Sequence, residues 1–95
     1  MYVVVQRYRG ASQLFDELVR QRTEVEQMIR GVPGFVACYL VRSGDGGTRI
    51  IVCEDRAGTE EATRREADWV QQNVPAAAGN RPEVTEGEVL YQFGK

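Results

Sequence analysis

The side chains able to do chemistry in this sequence are few, and the missing types narrow the field as much as those present. There is no histidine, and the only cysteines are Cys38 and Cys53. That is too few soft ligands for a closed zinc site, and the spacing matches neither an iron–sulfur cluster nor a haem attachment. No metal and no cofactor is expected. On the hairpin register derived below Cys38 faces Cys53, which leaves a disulfide or redox pair open. Against it, free cysteines behave as small buried hydrophobes, and a reducing compartment keeps them as thiols. Glu60, Glu61, Glu66 and Asp68 invite acid–base chemistry, which needs a carboxylate in a cleft with a shifted pKa. These four fall on a helix start and its wet face, so they read as capping and solvation. Gly44 to Gly47 lies inside a hairpin, not between a strand and a helix where a phosphate loop sits. Arg42 and Arg49 oppose each other on the same register, a like-charge pair screened by solvent at the hairpin tip or relieved by an anion. Trp69 reads as core, with stacking on a flat aromatic ligand as the alternative. Tyr39 and Tyr91 stay open between core and ligand, because a buried hydroxyl needs a partner of either kind. No residue is assigned a catalytic role.

The elements that must position these residues follow from spacing. Tyr2 to Arg9 is strand-like, with the β-branched Val3, Val4 and Val5 beside Tyr2 and Tyr8. Gly10 ends it. Ser12 is placed to cap a helix whose early Asp16 and Glu17 suit its positive end. Leu14, Leu18, Val25, Met28 and Val32 then recur at helical steps with Phe15, Val19 and Ile29 alongside, which predicts one amphipathic helix closed by Gly31 and Pro33. Phe35 to Arg42 and Arg49 to Glu54 are two strands. Asp45-Gly46 predicts a type I′ hairpin turn between them, so that Cys38 faces Cys53, Leu40 faces Ile51, Val41 faces Ile50 and Tyr39 faces Val52. A second helix is expected from Thr59 as cap, along Ala62, Thr63, Ala67, Trp69, Val70 and Val74 to Pro75. A loop over 76–82 and a last strand from Val84 to Phe93 complete the chain, with Gly87 as a bulge or bend.

Composition bounds the rest. Ninety-five residues, 42% hydrophobic and 27% charged, fit one ordered domain spanning 1–95. Twelve basic against fourteen acidic residues lack the excess that draws a phosphate backbone, so no nucleic-acid partner is expected. The apolar runs Val3 to Val5 and Val36 to Val41 are far shorter than the ~20 residues needed to span a bilayer, so no membrane partner is expected either. With no leader-like pattern before the first strand, the sequence reads as cytoplasmic.

Strand, helix, hairpin, helix, strand is the ferredoxin-like βαββαβ order, an α+β fold with two helices on one face of a four-stranded antiparallel sheet. The hairpin is apolar on both sides. Cys38, Leu40, Ile51 and Cys53 lie on one, and Phe35, Ala37, Tyr39, Val41, Ile50 and Val52 on the other. A chain this short removes only roughly 60 to 65% of its unfolded surface from water, while each large side chain buried is worth ~1.5 to 3 kcal/mol. A homodimer through the sheet is therefore expected, its alternative being a monomer whose loops shield the second side.

Val32-Pro33-Gly34-Phe35, the hairpin after it, and Val52-Cys53-Glu54-Asp55 before a Glu-rich helix start resemble the dimeric α/β-barrel superfamily, in particular its antibiotic-biosynthesis-monooxygenase-like domains. The resemblance covers nearly the whole chain in element order and implies a dimeric α/β barrel with a small-molecule pocket between sheet and helices. Cys53 stands where the family commonly has a strand-three tryptophan. Haem-degrading members carry a histidine on the second helix and an asparagine in the first strand. This chain has no histidine and offers Gln6 and Arg7, which argues against haem degradation. The resemblance to cofactor-free oxygenase members, whose polar pockets hold a phenolic or polyketide-like substrate, makes Gln6, Arg7, Tyr8, Tyr39, Trp69 and Tyr91 the candidate ligand-binding residues. Two functions stand side by side: a homodimer binding a small aromatic molecule without assigned catalysis, and a cofactor-independent monooxygenase. RNA binding is disfavoured because Arg49 to Cys53 carries none of the third-strand aromatics such domains use.

Overall fold

The computed structural model describes residues 1–94. Strand β1 (Tyr2–Tyr8) leads into helices α1 (Ser12–Arg20) and α2 (Arg22–Arg30), the hairpin β2 (Phe35–Ser43) and β3 (Gly46–Cys53), helix α3 (Arg56–Asn73), a 3₁₀ turn (Pro75–Ala77) and strand β4 (Glu83–Glu88). All neighbouring strands are antiparallel, in the order β2-β3-β1-β4. This is the ferredoxin-like α+β architecture expected from the sequence, with β2 and β4 as open edges. No helix among the described residues is long and apolar enough to cross a membrane.

Alternation along β1 and β3 decides which side chains meet the helices. Val4, Gln6 and Tyr8 pair across the ladder with Ile51, Arg49 and Gly47, and all six are buried. The intervening Val3, Val5, Ile50 and Val52 point to the opposite face and stay half-buried, with Tyr39 and Val41 of β2 exposed beside them. The second face is therefore apolar and uncovered in the single chain.

Under the helices the core divides. Leu14, Phe15 and Leu18 of α1 join Tyr8, Trp69, Val70 and Val74, whereas Ile29 and Val32 join Val4, Ile51, Cys53 and Ala62, and Val25 and Met28 touch both groups. The single helix expected over Ser12 to Gly31 is in fact two, interrupted at Gln21; the buried residues of α1 serve the first cluster, while α2 places Ile29 in the second and reaches both through Val25 and Met28. Gly31 keeps a right-handed conformation, and the left-handed turn that lets the chain enter β2 falls at Gly34, with φ of 78°.

Three local expectations are corrected by close approaches that sequence spacing does not reveal. The hairpin turns at Gly44-Asp45 and not at Asp45-Gly46: Ser43 pairs with Gly46, Val41 with Thr48 and Leu40 with Arg49. Gly44 has φ of 59° and Asp45 has none above zero, the pattern of a type II′ turn. Gly46 and Gly47 are needed elsewhere, because a Cβ on either would run into the backbone of Tyr8 or Val41 and the ring of Phe15. With the register moved and a bulge between Phe35 and Ala37, Cys38 faces Ile51 and Cys53 faces Phe35. The two thiols are not opposed, and both are free, Cys38 exposed and Cys53 buried. Arg42 likewise faces Gly47 and not Arg49; it bonds Asp16 of α1 at 2.8 Å.

Capping differs as well. The Ser12 hydroxyl donates to the Asp45 carbonyl at 3.2 Å, tying α1 to the hairpin tip, so it does not cap its own helix. Helix α3 is capped four residues earlier than expected, with the Asp55 carboxylate accepting from the Gly58 N–H at 3.0 Å. Thr59 sits buried inside the first turn, its hydroxyl donating to the Arg56 carbonyl at 2.9 Å. The last strand stops at Glu88, and Gly87 pairs regularly with Val3, so the expected bulge there is absent.

Candidate functional site

Arg49 is the centre of the chemistry. It stands on the helix-facing side of β3, directly across from Gln6, and only 2% of its surface is exposed. Its Nε and Nη2 donate to Gln6 Oε1 at 3.1 and 2.9 Å, and its Nη1 is ion-paired with Oε2 of Glu66 on α3. The Tyr8 hydroxyl donates to Glu66 Oε1 at 3.2 Å. Four polar side chains from β1, β3 and α3 thus form one buried network in the layer between sheet and helices. Glu66 reaches it because α3 turns Ala62, Glu66, Trp69 and Val70 inward together. The wet-face assignment for Glu66 is overturned, as is the solvent-screened assignment for Arg49. Removal from water pushes the Arg49 guanidinium down to about 10, which leaves it charged at neutral pH. Burial raises the Tyr8 phenol, with the Arg49 charge working against that rise.

A cleft of about 640 Å³ opens beside this network. Its walls are Leu18 and Val19 of α1, Val25 and Ile29 of α2, and six consecutive residues of β2 from Phe35 to Leu40, with Arg49 joining the lining. The network lends the cleft a polar point in an apolar cup, the arrangement typical of small-molecule sites. Arg49 has five N–H donors; Gln6 engages two and Glu66 one, leaving two without a side-chain partner among the described residues on a residue that lines the cleft. Because Glu66 already balances the charge, a neutral hydroxyl or carbonyl oxygen suits those donors.

The six sequence candidates are dispersed. Tyr39 borders the cleft, on the exposed strand β2, and is itself 58% exposed. Gln6 and Tyr8 lie one layer behind, in the Arg49 network. Trp69 is core, as first read: it is buried beside Leu14 and Phe15, and its Nε1 donates to Glu24 at 3.0 Å. Arg7 lies exposed on the open sheet face, and Tyr91, 75% exposed, stacks near Phe93 beyond β4. The residues missed are Arg49, Glu66 and the apolar lining of Leu18, Val25 and Ile29. Arg49 shares strand parity with Ile51 and Cys53, and Glu66 lies four residues from Ala62 and three from Trp69, so both positions were visible as charges on buried stripes.

Four antiparallel strands with helices on one face, and a cleft between them, define a ferredoxin-like protein with the fold of the antibiotic-biosynthesis-monooxygenase-like dimeric α/β-barrel proteins. Among solved structures, a Nitrosomonas europaea protein of unknown function, NE2512, superimposes with a TM-score of 0.75 at 13% identity, covering 99% of this chain and 93% of that one. SnoaB, a cofactor-independent oxygenase from Streptomyces nogalater, gives 0.61 at 18% identity over 99% and 95% of the two chains. MhuD, a haem degrader from Mycobacterium tuberculosis with two haems in its active site, gives 0.62 at 17% identity over 99% and 100%. At these identities the likeness is one of fold. No protein-family model matches the chain, and no curated protein matches it in sequence.

Proposed function

We propose that the chain is a homodimer, joined through its open sheet face, that binds a small aromatic molecule in the cleft between α1, α2 and β2. The observation that carries this reading is the buried Arg49, with two donors that lack a side-chain partner among the described residues, at an otherwise apolar cleft of about 640 Å³. The half-buried Val3, Val5, Ile50 and Val52, with exposed Tyr39 and Val41, supply the dimer face. A phenol or a polyketide-like enol suits the cleft, its ring against Leu18, Val25 and Ile29 and its oxygen accepting from Arg49. Haem is not carried over from MhuD, because the sequence has no histidine to serve as an axial nitrogen ligand.

The test is a titration with 1-naphthol followed by amide chemical shifts, with light scattering for the mass. Shifts at Cys38 to Leu40 and Arg49 that vanish in Val25→Trp, in a particle of twice the chain mass, are the expected result. Shifts confined to the sheet face, or unaltered by Val25→Trp, sink the ligand reading. A single-chain mass sinks the dimer.

The second reading, a cofactor-independent monooxygenase, draws on the continuity of Tyr8, Glu66, Arg49 and Gln6, a chain of hydrogen-bonding groups reaching a site where a phenolate can form. Oxygen uptake with a polyphenol checks it. The same rate in Arg49→Lys as in the unaltered protein removes it.

A further inference from the structure

We infer that Cys38 is a covalent capture site for quinones: its thiol adds to a conjugated ring carbon of a quinone seated in the cleft and leaves a hydroquinone thioether on β2. This rests on the reading of the cleft as a ligand site. Cys38 pairs with Ile51, so its side chain lies on the helix-facing side of the sheet, and it borders the cleft. It is exposed and has no disulfide partner, whereas Cys53 is fully buried. A cysteine kept only as a small apolar filler belongs where Cys53 is, under the helices. Cys38 instead presents a sulfur nucleophile to the cleft, on the face of the sheet away from Ile50 and Val52.

A second group at the same cleft gives that sulfur a chemistry. Arg49 pairs with Leu40, which makes it the diagonal neighbour of Cys38 on one sheet face. Diagonal neighbours stand ~7 to 8 Å apart, within reach of a long side chain. Arg49 is 2% exposed, borders the cleft, and keeps two N–H groups without a side-chain partner among the described residues. Its charge is felt at the sulfur: burial pushes the Cys38 thiol up, and the Arg49 guanidinium works against that rise. A thiol so placed is mostly protonated at neutral pH and slow toward ordinary alkylating agents. A conjugated carbonyl changes this, because the negative charge that develops on its oxygen during addition falls near a fixed cation in a site with little water. Leu18, Val25 and Ile29 supply the apolar surface that a flat ring needs.

The addition balances without an outside oxidant or reductant. The sulfur–carbon bond forms as the ring double-bond pair shifts toward one carbonyl oxygen, which takes up the proton lost by the thiol. The hydrogen on the attacked carbon then passes to the other carbonyl oxygen, and the ring becomes aromatic. The attacked carbon is oxidised and the two carbonyl carbons are reduced. Quinones are the two-electron-oxidised form of dihydroxy phenols, so capture closes the cleft with the oxidised form of the ligand class it binds.

Reaction rates test the inference. The unaltered protein is treated with 1,4-naphthoquinone under argon and, in parallel, with iodoacetamide, and N-acetylcysteine serves as the unassisted thiol. The expected product is one whole quinone per chain, mapped to Cys38 by peptide mass. The ratio of the naphthoquinone rate to the iodoacetamide rate should exceed that of N-acetylcysteine at least ~10-fold, and the modified protein should give no amide shifts with 1-naphthol. Val25→Trp, which fills the cleft, or Arg49→Met/Glu66→Leu, which withdraws the cation, should return the ratio toward the reference. A ratio equal to the reference, quinone on Cys53, or a ratio that neither variant lowers overturns the inference. The first two are read in the unaltered protein and hold even where a variant fails to fold. If 1-naphthol binds and the ratio equals the reference, capture fails while the ligand reading stands. If naphthol does not bind and Cys38 is captured selectively, the phenol reading fails while Cys38 remains the site.

Discussion

Replacing Glu66 by leucine is the sharpest test of how the buried network holds the fold. Arg49 and Glu66 are 2% and 3% exposed, so the substitution leaves a guanidinium deep in the protein with only Gln6 Oε1 as acceptor and deprives the Tyr8 hydroxyl of its partner. Breaking one side of a buried pair costs ~3 to 5 kcal/mol, and the orphaned hydroxyl adds ~1 to 3 kcal/mol. A chain of 95 residues has a total stability of roughly 5 to 14 kcal/mol. Glu66→Leu therefore removes more than a quarter of it and lowers Tm by at least ~16 °C. The double variant Arg49→Met/Glu66→Leu removes both charges together and recovers most of that loss, because a well-packed apolar pair avoids the desolvation that the ion pair suffers. Urea unfolding followed by the fluorescence of the buried Trp69 measures the unaltered protein, the single variants Glu66→Leu and Arg49→Met and the double variant, at one protomer concentration so that any association acts equally on each. A loss below ~1 kcal/mol in Glu66→Leu, or a double variant as weak as the sum of its single changes, would refute the account of a coupled buried network.

Other outcomes follow from the same contacts. Tyr8→Phe should cost ~1.5 to 3 kcal/mol at neutral pH, since it deletes a donor to a buried carboxylate. Because burial raises the folded-state pKa of Tyr8 above its usual 10.0, the native protein holds that proton longer than the unfolded chain. Tyr8 thus contributes stability below pH 10 that is lost as pH rises through the folded value, and urea midpoints between pH 9 and 12 should fall less steeply in Tyr8→Phe. Gly47→Ala should destabilise by at least ~2 kcal/mol through overpacking, as a Cβ there meets the Val41 carbonyl and the Phe15 ring; an unchanged thermal midpoint contradicts the packing described. Ile50→Lys places a charge in the middle of the open sheet face, so light scattering should report a single-chain mass while circular dichroism keeps the folded spectrum.

How much of this was legible in the sequence varies with the range of the interaction. Strand β1, the hairpin as an element, the long helix ending before Pro75 and the order of all of them follow from β-branched runs, turn residues and helical spacing. These are local, and the structure agrees. The hairpin register does not follow: Asp45-Gly46 has the stronger local turn preference, but Gly46 and Gly47 are claimed by Tyr8, Val41 and Phe15, which arrive from distant parts of the chain. A shift of two residues keeps the side chains from Ala37 to Val41 and from Ile50 to Cys53 on their expected faces while changing every partner, whereas the bulge between Phe35 and Ala37 turns Phe35 to the face of Cys53; the hairpin is apolar on both sides as read, but the Cys38–Cys53 and Arg42–Arg49 pairs and the face of Phe35 were not read correctly.

Sequence by itself determined the fold class of this protein, because periodicity and turn chemistry act over a few residues and suffice to order the elements. Tertiary structure alone decided the site. Arg49 and Glu66, 17 positions apart in the chain, each stand as a lone charge on an otherwise buried stripe, but nothing in the spacing pairs them until β3 and α3 pack face to face; two charges enter a dry layer only when each finds the other, and that meeting is a property of the packed layers.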